Sequence, residues 1–116
     1  MYASHEGEVM KKTVAAVLAA IAAPYAVAQY QADAGRLSVI AAIKNESAQV
    51  KDALWTSAAR LKVGVLDDGT PRHGFAMYIC NYVTEIGISG AAVDVIDIAK
   101  LVQTNKWHVL GTAQCK

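Results

Sequence analysis

Residues 70–87 read TPRHGFAMYICNYVTEIG, and this stretch decides the fold because it carries the signals of one complete helix. Thr70 followed by Pro71 is typical of a helix N-cap and first helical position, and Gly87 is typical of a helix end. Between these ends, apolar side chains recur at helical spacing and define one face: Phe75, Ile79, Tyr82, Val83 and Ile86. The sequence therefore predicts an amphipathic helix over residues 71–86.

The segment after this helix favours β-structure. Residues 93–98 (VDVIDI) are rich in β-branched side chains and predict one strand, and residues 107–113 predict a second. Residues 103–106 supply a polar turn between the two strands. We expect a C-terminal antiparallel β-hairpin packed on the helix 71–86, with Asp94 on the outer face of an edge strand.

The segments before the helix carry two further helical patterns. Leu37–Ile43 is compatible with a helix or a buried strand, and its alanines favour a helix. Asn45 or Ser47 can cap a second helix that runs to about Leu61. That helix would align four apolar side chains on one stripe: Val50, Leu54, Ala58 and Leu61. A turn at residues 67–69 follows. The expected fold is a small single α+β domain in which helices precede the hairpin.

The two cysteines of the chain, Cys80 and Cys115, predict a disulfide. In an oxidising compartment, an even pair in a small domain is typical of a structural cross-link, which would tie the last strand to the helix. Closing a loop of about 35 residues would contribute roughly 3–4 kcal/mol to stability. In a cytosolic protein the same residues would be two unrelated buried thiols.

The N-terminal region has the order of a bacterial signal peptide. Met10, Lys11 and Lys12 form a basic start, and Val14–Ala23 is a short apolar run ahead of the helix-breaking Pro24. This order predicts export to the periplasm or secretion. The alternative is an alanine-rich helix that stays within a cytosolic fold.

Small residues mark the expected cleavage point. Ala26 and Ala28 occupy the positions that a signal peptidase reads, so we predict cleavage between Ala28 and Gln29. The leader is then residues 1–28, and residues 29–116 form one mature domain. The apolar run is about ten residues long, whereas a bilayer takes roughly 20, so we expect no stable membrane insertion after cleavage.

Residues 1–9 fit poorly in front of a signal peptide, because Glu6 and Glu8 stand where such peptides prefer positive charge. We interpret this stretch as untranslated or non-native sequence and take Met10 as the start. Purine-rich codons for Glu-Gly-Glu-Val directly before an ATG would resemble a ribosome-binding site.

The charge and motif content argue against several functions. The net charge is +1 at pH 7 and both signs are interspersed, so the sequence has no basic stripe for nucleic acid. His73 and His108 do not stand at a metal-ligand spacing. Asp94 and Asp97 are three apart in a strand and would point to opposite faces, which is unsuitable for paired acid and base catalysis. G-x-S-x-G and phosphate-loop motifs are absent, and we expect no cofactor, no metal and no enzymatic activity.

Aromatic side chains supply the candidate binding surface. Trp107, Tyr78 and His108 are its candidate residues, and alternation along the last strand would place Trp107 and His108 on opposite faces. His73 is expected to be solvated. The expected function is a protein-interaction or structural module with an unknown protein partner. The alternative is an envelope protein that binds a small molecule or glycan through Trp107, or less readily a small hydrolase. The sequence points to no particular oligomeric state.

Overall fold

The computed structural model describes residues 30–116. The predicted leader, the cleavage point between Ala28 and Gln29 and the interpretation of residues 1–9 lie outside the described residues. The described part forms an α+β domain whose elements, in chain order, are α1 (Ala34–Glu46), β1 (Asp52–Ser57), β2 (Arg60–Val65), α2 (His73–Glu85), β3 (Ala92–Asp97), α3 (Ile98–Thr104) and β4 (Val109–Gln114).

The four strands form one mixed sheet in the order β1-β2-β3-β4. The two outer pairs, β1 with β2 and β3 with β4, are antiparallel, and the central pair of β2 with β3 is parallel. A parallel pair needs a crossover connection, and α2 provides it. The antiparallel pairing predicted for the C-terminal strands is confirmed, but these strands are half of a larger mixed sheet rather than a simple hairpin.

The core lies between the sheet and the two longer helices, α1 and α2, which pack on one side of it. Side chains alternate along each strand, so β2 turns Leu61, Val63 and Val65 to this side and β3 turns Val93 and Val95 to it. The largest fully buried side chains are Trp55, Ile43, Leu61, Ile79, Ile96, Val39, Val63, Val65, Val83, Val93 and Val95. All but one, Ile96, belong to this core cluster.

Helix α2 confirms the central sequence prediction, with a later start. It begins at His73 instead of Pro71, because the Thr70 hydroxyl donates a 2.6 Å hydrogen bond to Asp68 Oδ1 and closes the preceding turn instead of capping the helix. At the other end, Gly87 adopts a φ of 95°, which a side chain would disfavour. The glycine therefore ends the helix as the sequence indicates.

The start of α2 covers the free edge of β4. The Arg72 backbone nitrogen donates to the Leu110 carbonyl at 3.2 Å, and the Thr112 nitrogen donates to His73 Nδ1 at 3.2 Å. Gly111 lies between these two contacts, directly against the backbone of Arg72. His73 is exposed, as the sequence predicts, and its ring in addition hydrogen-bonds the backbone of β4.

The prediction of a helix from Asn45 or Ser47 to Leu61 is wrong. Residues 52–65 instead form the β1–β2 hairpin, with Ala58 and Ala59 at its turn. Apolar residues at every second position, Leu61, Val63 and Val65, fit a half-buried strand, and this pattern outweighs the helical spacing of Val50, Leu54, Ala58 and Leu61. The helix predicted at Leu37–Ile43 is confirmed within α1.

The connection between β3 and β4 is a short helix, α3, rather than a polar turn. Asp97 Oδ1 accepts from the Lys100 nitrogen at 3.1 Å and caps the helix, and Asn105 ends it with a φ of 59°. Because β4 begins at Val109, Trp107 and His108 lie in the preceding loop instead of alternating within a strand. The edge position predicted for Asp94 is wrong, since β3 lies between β2 and β4.

The predicted disulfide is present between Cys80 of α2 and Cys115 after β4, with a Cα–Cα distance of 5.2 Å. Both cysteines are buried. The Cys115 nitrogen also donates to the Ala91 carbonyl at 2.8 Å. The C-terminus is thus fixed to both the crossover helix and the start of β3.

Candidate functional site

The side of the sheet opposite α1 and α2, here called the outer face, carries a cluster of charged side chains. Alternation turns Arg60 and Lys62 of β2 to this face, and their neighbour Asp94 lies beside them on β3. In the register, Lys62 is opposite Asp94 on one side and Leu54 of β1 on the other. Four side chains from three strands therefore lie next to one another.

Helix α3 covers one end of the outer face. It rests on Gly64, where an added Cβ would lie only 2.8 Å from the Ile98 Cδ1 atom. The glycine thus permits the close approach of α3 to β2. The rest of the outer face, toward Arg60, is left uncovered by α3.

A cleft of about 100 Å³ lies between α3 and β1 on this face. Leu54 and Trp107, which line it, are 55% and 47% exposed. Its lining residues are Asp52, Ala53, Leu54, Lys62, Gly64, Ile96, Ile98, Leu101 and Trp107. The cleft is mostly apolar, with one cation in its floor and one carboxylate at its rim.

A buried carboxylate with two cationic partners forms the floor beside the cleft. Asp94 has a side chain only 5% exposed, and its Oδ2 accepts from Lys62 Nζ at 2.7 Å. Arg60 NH1 lies 2.9 Å from both carboxylate oxygens. We call these three residues the ionic triad. Burial raises the pKa of Asp94, but the hydrogen bonds from Lys62 and Arg60 outweigh it and hold the pKa below its ordinary value.

The ionic triad also positions Trp107. Lys62 Nζ lies 5.2 Å from the centroid of the Trp107 ring, which is a cation–π distance. Because Asp94 fixes the ammonium, the ammonium in turn orients the indole at the rim of the cleft. A half-exposed tryptophan is therefore held by a network whose central carboxylate, Asp94, is buried.

The structure separates the three residues that the sequence nominated as a binding surface. Trp107 lies at the cleft, while Tyr78 lies on α2, on the other side of the sheet. His108 is exposed in the loop before β4, and its carbonyl accepts from the Asp97 nitrogen at 2.9 Å. Of the three, Trp107 alone belongs to the cleft.

Tyr78 instead forms a pair with Tyr82 on the surface of α2. Their hydroxyl oxygens are 2.9 Å apart and their rings meet edge to face. The hydrogen bond to Tyr78 raises the pKa of Tyr82 to about 12, with burial and the nearby Glu46 and Glu85 acting in the same direction. This pair lies beside a second, more polar depression that the two glutamates also line.

Sequence reasoning missed Leu54, Arg60 and Lys62. The signal was present, because polar and apolar residues alternate over residues 60–65 as expected for a strand with one exposed face. Recognising that strand would have placed Arg60 and Lys62 together on the exposed face. Their pairing with Asp94, more than 30 positions away, depends on the parallel register and has no local signal.

Residues 30–116 contain no group of three or more His, Cys, Asp or Glu side chains that could hold a metal ion. None of the helices described is both long and apolar enough to cross a membrane. What the outer face does offer is a small apolar cleft, an exposed indole and two cations that share one carboxylate.

Comparison of the chain with models of protein families, with curated proteins and with solved structures found no match. Function is therefore inferred from the geometry of these residues.

Proposed function

We propose that this chain is a small exported bacterial protein, periplasmic or secreted, that works by binding a protein partner and not by catalysis. The contact surface is the outer-face cleft. The observation that carries the proposal is the pair of half-exposed apolar side chains, Leu54 and Trp107, on the two sides of a cleft whose floor is fixed by the ionic triad.

The composition of the cleft suits a protein contact. Tryptophan and arginine are the residues most often responsible for binding energy at interfaces, and here Trp107 contacts Lys62, which shares Asp94 with Arg60. The indole is already oriented by Lys62, so binding would cost little additional side-chain entropy. Such preorganisation is typical of residues that anchor a partner.

The size of the cleft favours side chains of a partner over a free small molecule. At about 100 Å³ it is well below the ligand pockets of proteins, which run from about 300 to 1,000 Å³ and enclose most of their ligand. Leu54 and Trp107 remain about half exposed, so the cleft is open. It can take one side chain from a larger surface.

The disulfide supports the export part of the proposal. Structural disulfides persist in oxidising compartments and are rare in the cytosol. A Cys80–Cys115 bond thus fits a periplasmic or secreted protein. The proposed leader, residues 1–28, adds an independent sequence argument.

Capture from an envelope extract of the encoding organism tests the contact surface. Wild-type protein, Trp107→Ala and a matched control, Met77→Ser on exposed α2, would be immobilised in equal amounts. We expect a partner that the wild type and the control retain and that Trp107→Ala loses. Equal retention by all three proteins, or by none, would contradict the proposal.

Export has its own measurement, the intact mass of protein expressed from Met10 and collected from the periplasm. We expect a species that begins at Gln29 and takes up two alkyl groups only after reduction. An uncleaved chain with two reactive thiols would contradict export.

A small-molecule or glycan binder is the second candidate, and the exposed indole of Trp107 favours it because aromatic faces stack on sugars. Titration with soluble oligosaccharides, followed by tryptophan fluorescence, tests it against the Trp107→Phe control. A hydrolase is the least favoured reading, since both carboxylate oxygens of Asp94 are already bonded to Arg60 and Lys62 and its side chain is only 5% exposed.

A further inference from the structure

We infer that the partner presents an acidic group beside an apolar side chain, and that Lys62 and Arg60 receive its carboxylate while the cleft receives the apolar side chain. This inference rests on the proposed function, because it specifies the chemistry of the partner at the same surface. Its basis is the unequal charge of the ionic triad, two cations to one carboxylate.

Both cations keep unused hydrogen-bond donors. Arg60 uses NH1 for Asp94, and its Nε and NH2 groups make no hydrogen bond with residues 30–116. Lys62 donates one of its three N–H groups to Asp94. Asp94 neutralises one of the two charges, so the triad retains a net charge of +1.

The two cations lie where a partner can reach them. The Arg60 side chain is 47% exposed, whereas the Lys62 side chain is 16% exposed and can be reached through the cleft that it lines. Two further lysines are Lys100, in α3, and Lys106, next to Trp107. Neither forms a salt bridge within the described part of the chain. The surroundings of the cleft are therefore positively charged, which favours an anionic partner.

The two ends of the cleft differ in charge, and this difference orients the bound segment. Leu54 is opposite Lys62 in the β1–β2 register, whereas Asp52 is opposite Gly64 at the α3 end. Asp52 would repel a carboxylate at that end, although Lys44 at 3.7 Å offsets part of its charge. The acidic group therefore lies toward Arg60, and the apolar side chain lies between Leu54 and Trp107.

Selection from a random peptide library displayed on phage tests this chemistry without a known partner. The full chain is the bait. We expect enrichment of peptides with Asp or Glu next to a large apolar residue. A selected peptide is then synthesised with Glu→Gln or Asp→Asn at that position, and with a free or amidated C-terminus, which distinguishes a side-chain carboxylate from a terminal one.

Lys62→Met and Arg60→Gln are matched variants, because each leaves Asp94 paired with the remaining cation. We expect each to weaken binding of the acidic peptide by about tenfold. Arg60→Gln leaves the contact between Lys62 and Trp107 in place, so this variant should bind the amide version of the peptide like the wild type. Met77→Ser on α2 is the control and should bind like the wild type. A cooperative unfolding transition close to that of the wild type verifies that each variant is folded.

The other results separate the two proposals. Selected peptides that lack acidic residues but require Trp107 would overturn this inference and leave the protein-contact proposal standing. Peptides whose binding survives Trp107→Ala, or no enrichment at all, would overturn both. A third outcome is that no peptide is selected, that the protein sediments with phosphatidylglycerol vesicles and that Lys62→Met abolishes this sedimentation. That outcome would assign the outer face to a membrane surface and would also overturn the inference.

Discussion

Replacement of Gly111 by alanine should destabilise the domain more than alanine at either of the other glycines at which an added Cβ is considered, Gly64 and Gly74. A Cβ at this position would lie 2.5 Å from the His73 nitrogen and 2.6 Å from the Arg72 carbonyl oxygen, and closer still to the Arg72 carbonyl carbon. All three atoms are backbone, so no side-chain rotation relieves the clash. The strand and the start of α2 must separate.

The loss of unfolding free energy can be calculated from the interactions that this separation breaks. Overpacking a well-packed site costs about 1–3 kcal/mol. Two hydrogen bonds across the contact, from Arg72 to Leu110 and from Thr112 to His73, contribute about 1 kcal/mol each. The sum is about 3–5 kcal/mol, a large share of the 5–15 kcal/mol that is typical of a folded domain.

Urea denaturation of the oxidised protein, followed by circular dichroism, measures this difference. Gly74→Ala is the matched control, because Gly74 lies in α2 and an added Cβ there meets nothing within 4 Å. The control should be as stable as the wild type or slightly more so, since alanine favours a helix. A Gly111→Ala protein within 1 kcal/mol of the wild type would refute the reasoning.

Three further predictions concern the disulfide, the ionic triad and the cleft. Replacing both Cys80 and Cys115 by serine should lower the unfolding free energy by about 3–4 kcal/mol from loop entropy, measurable in urea; an unchanged midpoint would contradict this. Asp94→Asn should cost about 2 kcal/mol at pH 7, because it leaves two cations beside a neutral amide. The pKa of Asp94 is lower in the folded protein than the unfolded value of about 4, so the stability that Asp94 contributes is present above that pH and is lost as the pH falls through the folded value. If the difference in unfolding free energy between the wild type and Asp94→Asn stayed unchanged down to pH 2, it would contradict this prediction. Gly64→Ala should displace Ile98 and weaken partner binding at the cleft while the domain stays folded, and unaltered affinity would argue that α3 does not shape the site.

The parts of the fold that the sequence predicts are those with local signals. Helix α2 has a helical apolar face and Gly87 at its end, so it is recognisable without any knowledge of the sheet. The β1–β2 hairpin was missed because its turn, Ala58–Ala59, has none of the glycine or asparagine that marks most tight turns. Its residues also fit a helical spacing, and only packing against α1 and pairing with β3 decide between the two patterns.

The candidate site was predictable only in part, for a similar reason. Trp107 stands out in sequence as a large aromatic near the C-terminus, and its exposure makes it the first candidate for binding. The neighbours that orient it, Lys62 and Asp94, come from adjacent strands that are far apart in sequence. Parallel pairing through a crossover helix brings them together, and no short motif encodes that register.

The central claim, that the outer-face cleft contacts a protein partner, is tested most directly by photo-crosslinking in the encoding organism. A benzophenone amino acid would replace Leu54 at the cleft or, as the control, Tyr78 on α2, which lies on the other side of the sheet. The account predicts a discrete crosslinked species from position 54 that position 78 does not give and that Lys62→Met reduces. No crosslink from position 54, or equal crosslinking from both positions, would contradict the claim.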